Sequence, residues 1–176
     1  MPHPITELIS ADEIQQKVKE LAEKIHKDHT DVFIVVVLTG AMVFFADLLR
    51  ELNAIGTSVS FSPIKVSSYE GTESTGDLKF ELDLKESIKD KHVLIVEDIV
   101  DTGLTVTKLK DHFAEKGAAS VQVCALLDKK ARRSITVSID YVGFDVPDKF
   151  LVGYGLDFDG RYRELPYVGI IGEEGN

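Results

Sequence analysis

Hydrophobic residues recur along the chain at two different spacings, and the order of these spacings predicts the secondary structure. Ser10 to Glu13 (SADE) has the form of a helix capping box. Apolar residues then recur every three or four positions, which predicts an amphipathic helix over about residues 11 to 28. Residues 32–38 (VFIVVVL) form an unbroken apolar run. Such a run is typical of a strand covered on both faces, as in a parallel sheet.

The next segments repeat this succession of helix and strand. Helical spacing over 41–52 precedes a strand pattern over 59–66, in which Pro63 favours a sheet edge or an irregularity. Residues 67–77 (SSYEGTESTGD) carry small polar side chains with almost nothing to bury. They therefore predict a long mobile loop, a kind of segment that often carries function.

The second half of the chain contains a strand, a helix and a strand in succession. His92 to Val96 predicts a buried strand, 104–115 a helix that closes at Gly117, and 119–127 another buried strand. Short apolar runs over 140–171 alternate with Gly, Pro and Asp, which predicts short strands and loops built over the sheet. Strands that alternate with helices favour an α/β fold with a mostly parallel central sheet flanked by helices.

Length, composition and charge favour one soluble domain. The 176 residues suit a single hydrophobic core, and we expect one domain over 1–176. Hydrophobic residues make up 44% of the chain and charged residues 28%, which is ordinary for a globular protein. The net charge of -10 would repel the phosphates of nucleic acid, so we expect no nucleic-acid partner.

Two further features of the chain bear on its location. The single cysteine, Cys124, lies in an apolar run and is expected to be a small buried hydrophobic residue of a strand. The N-terminus lacks the basic and apolar regions of a leader, and the apolar runs are shorter than the roughly 20 residues of a membrane span. We therefore expect a cytoplasmic protein with no membrane partner.

The most hydrophobic neighbourhood of the chain ends in carboxylates. Glu97 and Asp98 follow the predicted strand, at the edge where open α/β sheets bind ligands. Asp101, Thr102 and Gly103 then form a turn that opens directly into the predicted helix, and amides at a helix N-terminus bind phosphate. Carboxylates bind sugar hydroxyls or a metal shell, so the segment favours a sugar phosphate. Neither GxGxxG nor GxxxxGK[ST] occurs, which argues against a dinucleotide fold and a P-loop.

Residues 93–106 (VLIVEDIVDTGLTV) resemble the phosphoribosyl-pyrophosphate motif of the type I phosphoribosyltransferases. The similarity extends over nearly the whole chain and points to the 6-oxopurine branch of that family. The supporting segments are 36–41 (VVLTGA), 45–48 (FADL), 67–69 (SSY), 126–129 (LLDK), 142–150 (VGFDVPDKF), 153–157 (GYGLD) and Arg163. The resemblance implies a Rossmann-like α/β sheet with a small hood built from the C-terminal segment and the N-terminal region.

The resemblance assigns the sugar and the 5′-phosphate of the donor to this motif. It implies that Glu97 and Asp98 bind the ribose hydroxyls, in part through a magnesium shell. The residues that it implies for the 5′-phosphate are Asp101, Thr102, Gly103, Leu104 and Thr105. Asp101 would also stand beside the purine N7 as the general acid/base, easing proton loss as N9 attacks the anomeric carbon. Taken without the resemblance, Asp101 is a helix-capping residue.

The pyrophosphate-binding residues that the resemblance implies are Leu38, Thr39, Gly40, Ser68, Tyr69 and Arg163. The first three match a loop whose backbone, often with a non-proline cis bond, aims amides at the leaving group. Thr39 stands where many members of the family carry Lys. Ser68 and Tyr69 lie in the loop that closes over the reaction centre, where water would hydrolyse the donor. Arg161 is an alternative to Arg163 as the pyrophosphate contact.

The purine-binding residues that the resemblance implies are Lys129, Phe150, Leu151 and Asp157. Lys129 would donate to the 6-oxo group, for which a cation suits a carbonyl and rejects the 6-amino group of adenine. Phe150 would stack on the purine, although its pattern alone predicts a core residue. We expect the three other basic side chains of this region, those of Lys130, Arg132 and Arg133, to be solvated.

The resemblance implies purine salvage, in which phosphoribosyl pyrophosphate and a 6-oxopurine, hypoxanthine or guanine, give a nucleoside monophosphate and pyrophosphate. Pyrophosphate leaves as a polyanion among carboxylates, so Mg²⁺ is the expected cofactor, with Glu97, Asp98 and Asp157 as ligands. A homo-oligomer, dimer or tetramer, is also expected. Two alternatives stay open: a regulator that senses phosphoribosyl pyrophosphate and binds nucleic acid, and a transferase for another base, such as xanthine.

Overall fold

The architecture is a six-stranded sheet with helices on both faces and a three-stranded sheet beside it. The computed structural model describes residues 3–68 and 78–172. The helices are α1 (Ala11–Asp28), α2 (Met42–Ala54) and α3 (Leu104–Glu115), and a short 3₁₀ turn spans Lys130–Arg132. The strands are β1 (Ile5–Ile9), β2 (Asp31–Val37), β3 (Ser58–Ser68), β4 (Leu78–Leu82), β5 (His92–Val100), β6 (Ser120–Asp128), β7 (Tyr141–Asp145), β8 (Leu151–Val152) and β9 (Val168–Ile171).

The larger sheet has the strand order β4-β3-β2-β5-β6-β7. All neighbouring strands in it are parallel except β3 and β4, which pair antiparallel. The prediction of a mostly parallel α/β sheet is therefore confirmed. Parallel strands place their carboxyl ends at one edge, and the central strands β2, β5 and β6 bring the ends of three apolar runs together there.

Alternate residues of the central strands face two separate cores. On β2, Ile34 and Val36 pack with α1 and α2, whereas Phe33 and Val35 pack with α3 on the opposite face. Both faces of the strand are covered, which is why its sequence is an unbroken apolar run. Cys124 is fully buried inside β6, as predicted, and burial raises the pKa of its thiol.

Helix α1 begins as its sequence predicts. Ser10 caps it, and the reciprocal bonds of a capping box are present, with the Glu13 carboxylate accepting from the Ser10 amide at 2.8 Å. The predicted bounds of α1 and α3 agree with the structure. Strand β5, in contrast, continues four residues beyond the predicted end at Val96, because its pairing with β6 runs to Val100.

Two strands of the structure have no counterpart in the sequence analysis. Both strands are short. In β4 (LKFEL) polar residues alternate with apolar ones, whereas β1 (ITELI) mixes them without regular alternation. β4 pairs with the second half of β3, beginning at Lys65, with an irregularity between Lys65 and Val66. Pro63 lies in the first half of β3, which β4 does not reach, so its missing amide hydrogen removes no bond to β4.

The smaller sheet forms a hood from the two ends of the described chain. Its strand order is β1-β9-β8, and both pairings are antiparallel. Ile5 is paired with Ile171, and Leu151 with Ile170. The hood expected from the C-terminal segment and the N-terminal region is thus present. Its buried residues, such as Leu151 and Val168, belong to the same core as α1 and α2, which fixes the hood over that face.

No helix within residues 3–68 and 78–172 is long and apolar enough to cross a membrane. Most of the loop predicted over 67–77 lies outside the described residues.

Candidate functional site

The acidic pair of β5 lies inside the strand rather than after it. Glu97 is paired with Ala125 of β6 and is 7% exposed. Burial, and then the negative charge of Asp98, raise the pKa of the Glu97 carboxyl well above its usual range. Burial also raises the pKa of Asp98, although the positive charge of Arg163 and the amide of Ile99 oppose it. A buried carboxyl and a partly buried one are therefore held side by side, where hydroxyl donors or a cation would stabilise their charged forms.

The turn after β5 and the start of α3 form a candidate anion site. Gly103 has a φ of 89° and lies directly before the helix. The hydroxyl oxygen of Thr102 accepts from the Leu104 amide at 3.3 Å. First-turn amides of a helix have no acceptor within the helix, so they are available to a phosphate. A cavity of about 100 Å³ is lined here by Glu97, Ile99, Val100, Asp101, Thr102, Gly103, Thr105 and Val106.

A segment that follows β6 braces this turn. The Nε atom of Arg133 donates to the Asp101 carbonyl oxygen at 3.1 Å, and the amides of Ser134 and Ile135 donate to the Thr102 carbonyl oxygen at 3.0 and 3.2 Å. The Arg133 guanidinium also pairs with the Asp128 carboxylate at the end of β6. The prediction that Arg133 is solvated is wrong, since its side chain is only 18% exposed. The buried Asp128 carboxylate needs a counter-charge, and Arg133 supplies it.

A second cavity, of about 200 Å³, is lined by the residues predicted to bind a base and is called the base cavity. Its lining consists of Asp98, Ile99, Asp101, Lys129, Arg132, Phe150, Leu151, Leu156 and Asp157. Lys129 is 7% exposed, and its ammonium group donates to the Lys149 carbonyl oxygen at 2.9 Å. Phe150 is 54% exposed, so the pattern-based prediction of a core residue is wrong. Its ring instead forms one wall of the cavity, where an aromatic face is free to stack.

Asp101 borders both cavities. Within the described part of the chain, its Oδ1 atom is buried and makes no hydrogen bond. The nearest cation is Arg132, whose Nε atom lies 3.5 Å from that oxygen. The Arg132 side chain is 55% exposed, and that of Lys130, which pairs with Asp145 on the surface, is 65% exposed. The prediction that these two side chains are solvated is therefore confirmed. A buried acceptor without a hydrogen bond is suited to receive a proton from a ligand.

The loop after β2 touches the acidic pair directly. Its Leu38–Thr39 peptide bond is cis, as the resemblance implies. The Leu38 amide donates to the Ile64 carbonyl oxygen at 2.9 Å, and the Met42 amide to the Thr39 carbonyl oxygen at 3.1 Å. A Cβ atom at Gly40 would lie 1.8 Å from Oδ2 of Asp98. Only glycine allows the loop backbone to lie this close to the carboxylate.

Gly40→Ala is therefore expected to displace either the loop or Asp98. Displacements of about 1 Å at a site can lower activity by about 10²-fold, and we expect a loss of this size in kcat/KM for the donor. Steady-state kinetics of the two proteins measure it. Gly56→Ala is the matched control, because Gly56 follows α2 and has open space around it, though its φ of 85° makes alanine strained. It should lower thermal stability and leave kcat/KM unchanged, and an unchanged kcat/KM for Gly40→Ala would contradict the prediction.

Asp157 and Arg163 lie side by side near the same edge. Arg163 Nη2 is 2.8 Å from Oδ1 of Asp157, and Arg163 Nη1 donates to the Gly155 carbonyl oxygen at 2.5 Å. The Gly160 amide donates to Oδ2 of Asp157 at 2.9 Å. Arg161 takes part in a turn with Phe158, so the geometry favours Arg163 over Arg161 as the residue facing the acidic pair.

The remaining predicted site residues are at the end of β3. Ser68 is the last residue of this strand, and Tyr69 lies outside the described residues. Whether this pair binds pyrophosphate stays a prediction.

The sequence analysis missed three lining residues of the base cavity: Ile99, Arg132 and Leu156. A signal for Ile99 was present, because it lies between Asp98 and Asp101 in the motif itself. Leu156 likewise lies inside the supporting segment 153–157, next to Asp157. Arg132 gave no signal, since its basic run is typical of a solvated surface.

The acidic residues offer part of a cation site. No three Asp, Glu, His or Cys side chains within 3–68 and 78–172 converge as a complete set of metal ligands. Mg²⁺, however, is usually held by one or two carboxylates together with substrate phosphates. The adjacent carboxylates of Glu97, which is buried, and Asp98, which is partly exposed, fit that requirement. Asp157 already has Arg163 as its counter-charge, so its part as a metal ligand stays a prediction.

Comparison with known proteins identifies this arrangement. A model of the phosphoribosyl transferase domain matches residues 6–159. The chain belongs to the phosphoribosyl transferase family. The matched range contains both cavities and the cis peptide loop, so the family's domain and the candidate site coincide.

Relatives within the family align over nearly the whole chain. The hypoxanthine-guanine phosphoribosyltransferase of Bacillus subtilis (strain 168) is 43% identical over 175 residues, covering 97% of this chain and 96% of that protein. The hypoxanthine-guanine-xanthine phosphoribosyltransferase of Tritrichomonas foetus is 42% identical, covering 94% and 91%. The structure of hypoxanthine phosphoribosyltransferase from Trypanosoma cruzi in complex with the product IMP has a TM-score of 0.91 at 38% identity, covering 98% and 96%.

Proposed function

We propose that this protein is a purine salvage enzyme that transfers the 5-phosphoribosyl group of phosphoribosyl pyrophosphate to N9 of a 6-oxopurine. The observation that carries the proposal is the cavity that unites Lys129, Phe150 and Asp157 with Asp98 and Asp101. A base bound there would lie beside the anion site at α3, because Asp101 lines both cavities. The relatives of this chain are named for the same reaction.

Different residues serve the binding of the donor, the transfer of a proton and the departure of the leaving group. The amides from Asp101 to Thr105 hold the 5′-phosphate, and Glu97 and Asp98 bind the ribose hydroxyls. The bond from the anomeric carbon to pyrophosphate breaks as N9 bonds to that carbon. The Oδ1 atom of Asp101 accepts the proton that N7 loses as the bond from N9 forms, so that the base reacts without building up positive charge. The products are a nucleoside monophosphate and pyrophosphate.

The backbone at Thr39 and Gly40, with Arg163, receives the departing pyrophosphate. A guanidinium group suits phosphate because it donates two parallel hydrogen bonds. Mg²⁺, when bound by Glu97 and Asp98 together with the donor, would neutralise part of the charge that develops on the leaving group.

Lys129 determines that the base is a 6-oxopurine. Its ammonium group is a donor only, so it pairs with a carbonyl oxygen and leaves the 6-amino group of adenine without an acceptor. It now donates to the Lys149 carbonyl oxygen, which shows that an acceptor can be reached from its buried position. We therefore assign hypoxanthine and guanine as substrates. The name of the Tritrichomonas foetus relative includes xanthine, which is the second candidate base.

The decisive experiment supplies phosphoribosyl pyrophosphate with hypoxanthine, guanine, xanthine or adenine, with and without Mg²⁺, and measures nucleotide formation. We expect turnover of at least one 6-oxopurine, dependence on Mg²⁺, and a kcat/KM for adenine at least about 10³-fold lower. Lys129→Gln should reduce the ratio of kcat/KM for the 6-oxopurine to kcat/KM for adenine, because an amide both donates and accepts hydrogen bonds. Lys130→Gln, one residue along and on the surface, is the control and should leave the ratio unchanged.

Two outcomes would contradict the proposal. Binding of the donor without turnover of any base would favour the nucleic-acid-binding regulator, and RNA binding with a steep salt dependence would then be the next measurement. Turnover of adenine as fast as hypoxanthine would remove the role of Lys129.

We also propose that the protein is a homo-oligomer. Met42 of α2 and Phe61 of β3 are 51% and 49% exposed. The ring centroid of Phe61 lies 4.9 Å from that of Phe45, and Met42 lies one helical turn before Phe45 on the same face of α2. We infer that the two exposed side chains belong to one apolar surface. Exposed apolar surfaces of this kind support association with a second copy. Light scattering decides the matter, since a mass of 19.5 kDa would identify a monomer.

A further inference from the structure

A buried hydroxyl group attaches the hood to α2. The attachment lies beside the loop of Leu38, Thr39 and Gly40, which is proposed to bind pyrophosphate and is called the pyrophosphate loop. Tyr154 donates its phenolic hydrogen to Oδ2 of Asp47 across 2.5 Å, and Tyr154 is only 3% exposed. Burial, and then this hydrogen bond, raise the pKa of the Tyr154 phenol, so the group remains a donor throughout the physiological range. Asp47 lies in the first half of α2, the helix that begins two residues after Gly40.

Tyr154 is the central residue of a tight turn, and the next residue of this turn, Gly155, holds the Arg163 side chain by a hydrogen bond. Gly153, Tyr154 and Gly155 all have left-handed backbones, with φ values of 96°, 48° and 100°. The Gly155 amide donates to the Arg163 carbonyl oxygen at 3.0 Å, and the Gly155 carbonyl oxygen accepts from the Arg163 guanidinium at 2.5 Å. The position of the guanidinium therefore follows the position of this turn.

The same turn touches the pyrophosphate loop. A Cβ atom at Gly155 would lie 2.1 Å from the Gly40 carbonyl oxygen. Gly40 in turn lies against Asp98, so the turn, the loop and the acidic pair form one continuous contact. A shift of the turn away from α2 would move Arg163 and loosen the backing of Gly40 together.

We propose that Tyr154 and Asp47 form a latch that positions the pyrophosphate-binding half of the site. This inference rests on the proposed function. Neither residue lines the two ligand cavities, so both are positioning residues that act through Gly155 and Arg163. The latch holds the turn against α2, which keeps the Arg163 guanidinium beside Asp157 and the Gly40 backbone beside Asp98.

The chain contains a matched control for this hydrogen bond. Tyr141 of β7 donates to Oδ2 of Asp28, at the end of α1, across 2.7 Å, and Tyr141 is 5% exposed. It is also a buried tyrosine that ties a strand segment to a helix through an aspartate. Neither Tyr141 nor Asp28 lines a ligand cavity or contacts the pyrophosphate loop in the described structure. Tyr141→Phe should lower the free energy of unfolding as Tyr154→Phe does, but it should leave the KM values for phosphoribosyl pyrophosphate and pyrophosphate unchanged.

The test compares Tyr154→Phe and Tyr141→Phe with the natural enzyme in both directions of the reaction. Tyr154→Phe is expected to raise KM for phosphoribosyl pyrophosphate and for pyrophosphate by roughly tenfold to 150-fold, the range of a hydrogen bond to a charged group. Its KM for hypoxanthine should stay within about twofold, since the base cavity does not depend on the latch. Tyr141→Phe should leave all three KM values within about twofold.

Two substitutions at Asp47 separate the hydrogen bond from folding. Asp47→Asn keeps an acceptor oxygen for the Tyr154 hydroxyl and should retain most of the donor affinity. Asp47→Ala should raise the donor KM as Tyr154→Phe does, although it also removes the Asp47 bonds to Arg50 and Gln15 and can lower stability further. The donor KM of the double variant should be no higher than that of Asp47→Ala, because both changes remove the bond between Tyr154 and Asp47. If Tyr154→Phe fails to fold, the comparison of Asp47→Asn with Asp47→Ala still tests the latch.

The proposal is overturned if Tyr154→Phe and Asp47→Ala keep their donor and pyrophosphate KM values, or if Tyr141→Phe raises them equally. Calorimetric titration with phosphoribosyl pyrophosphate gives the same comparison without turnover. Absence of turnover by the natural enzyme would thus count against the proposed function, whereas equal donor affinity of natural and Tyr154→Phe proteins would count against the latch.

Discussion

Asp101→Asn should lower kcat by about 10² to 10⁴-fold, the usual contribution of a general acid/base. The expectation rests on the Oδ1 atom of Asp101, which is buried, lacks a hydrogen bond in the described structure and borders both cavities. Asparagine keeps the size of the side chain but cannot take up a proton. Single-turnover kinetics with saturating donor and hypoxanthine measure the change in the chemical step.

Donor affinity distinguishes proton transfer from binding. Because asparagine fills the same space beside the anion site, the dissociation constant for phosphoribosyl pyrophosphate should change by less than about threefold. Asp111→Asn, on the exposed side of α3, controls for loss of a carboxylate and should leave both quantities unchanged. Equal losses of kcat and donor affinity in Asp101→Asn would identify Asp101 as a binding residue only.

Arg133→Met should lower the free energy of unfolding by about 3 to 5 kcal/mol, as expected when one partner of a buried ion pair is removed. The Asp128 side chain is 5% exposed and pairs with Arg133, whereas its other neighbouring cation, Lys130, is 4.0 Å away and largely exposed. Methionine keeps the length of the side chain without the charge. Denaturant unfolding of natural and substituted proteins measures the difference.

Removing the second charge should restore most of this loss. A protein with both Arg133→Met and Asp128→Leu has no unpaired charge, and apolar replacements of buried pairs are often neutral. Lys65→Met removes the cation of an exposed pair with Glu81 and should leave the unfolding midpoint nearly unchanged. A loss below about 1 kcal/mol for Arg133→Met, the size typical of surface pairs, would contradict the prediction.

The roles of Arg133 could not be predicted from its position in the sequence. It stands in a basic run, KKARR, that is typical of a solvated surface. Its neighbour Lys130 does lie on the surface, and nothing in the pattern distinguishes the two residues. The difference arises because β6 ends with Asp128 buried beneath the turn of residues 101–103, where only one of these cations can reach both the carboxylate and the Asp101 carbonyl oxygen.

Strand patterns illustrate the same division between local and distant causes. The apolar runs of β2, β5 and β6 predict strands covered on both faces, since burial on both sides leaves no place for polar residues. β1 and β4 have weaker patterns of mixed polarity and exist because β9 and β3 offer edges to pair with. Such pairing partners lie far along the chain for β1, so its own five residues do not specify it.

By itself, the sequence determined the order of the helices and of the buried central strands, the α/β class and the motif of residues 93–106, because periodicity and turn chemistry act over a few neighbouring residues. Tertiary structure decided which distant side chains meet. It brought Lys129, Phe150 and Asp157 to one cavity with Asp101, buried Arg133 and joined Tyr154 to Asp47, 107 residues away. These contacts depend on how sheet, helices and hood pack together, and packing follows from the burial of all the apolar surfaces at once.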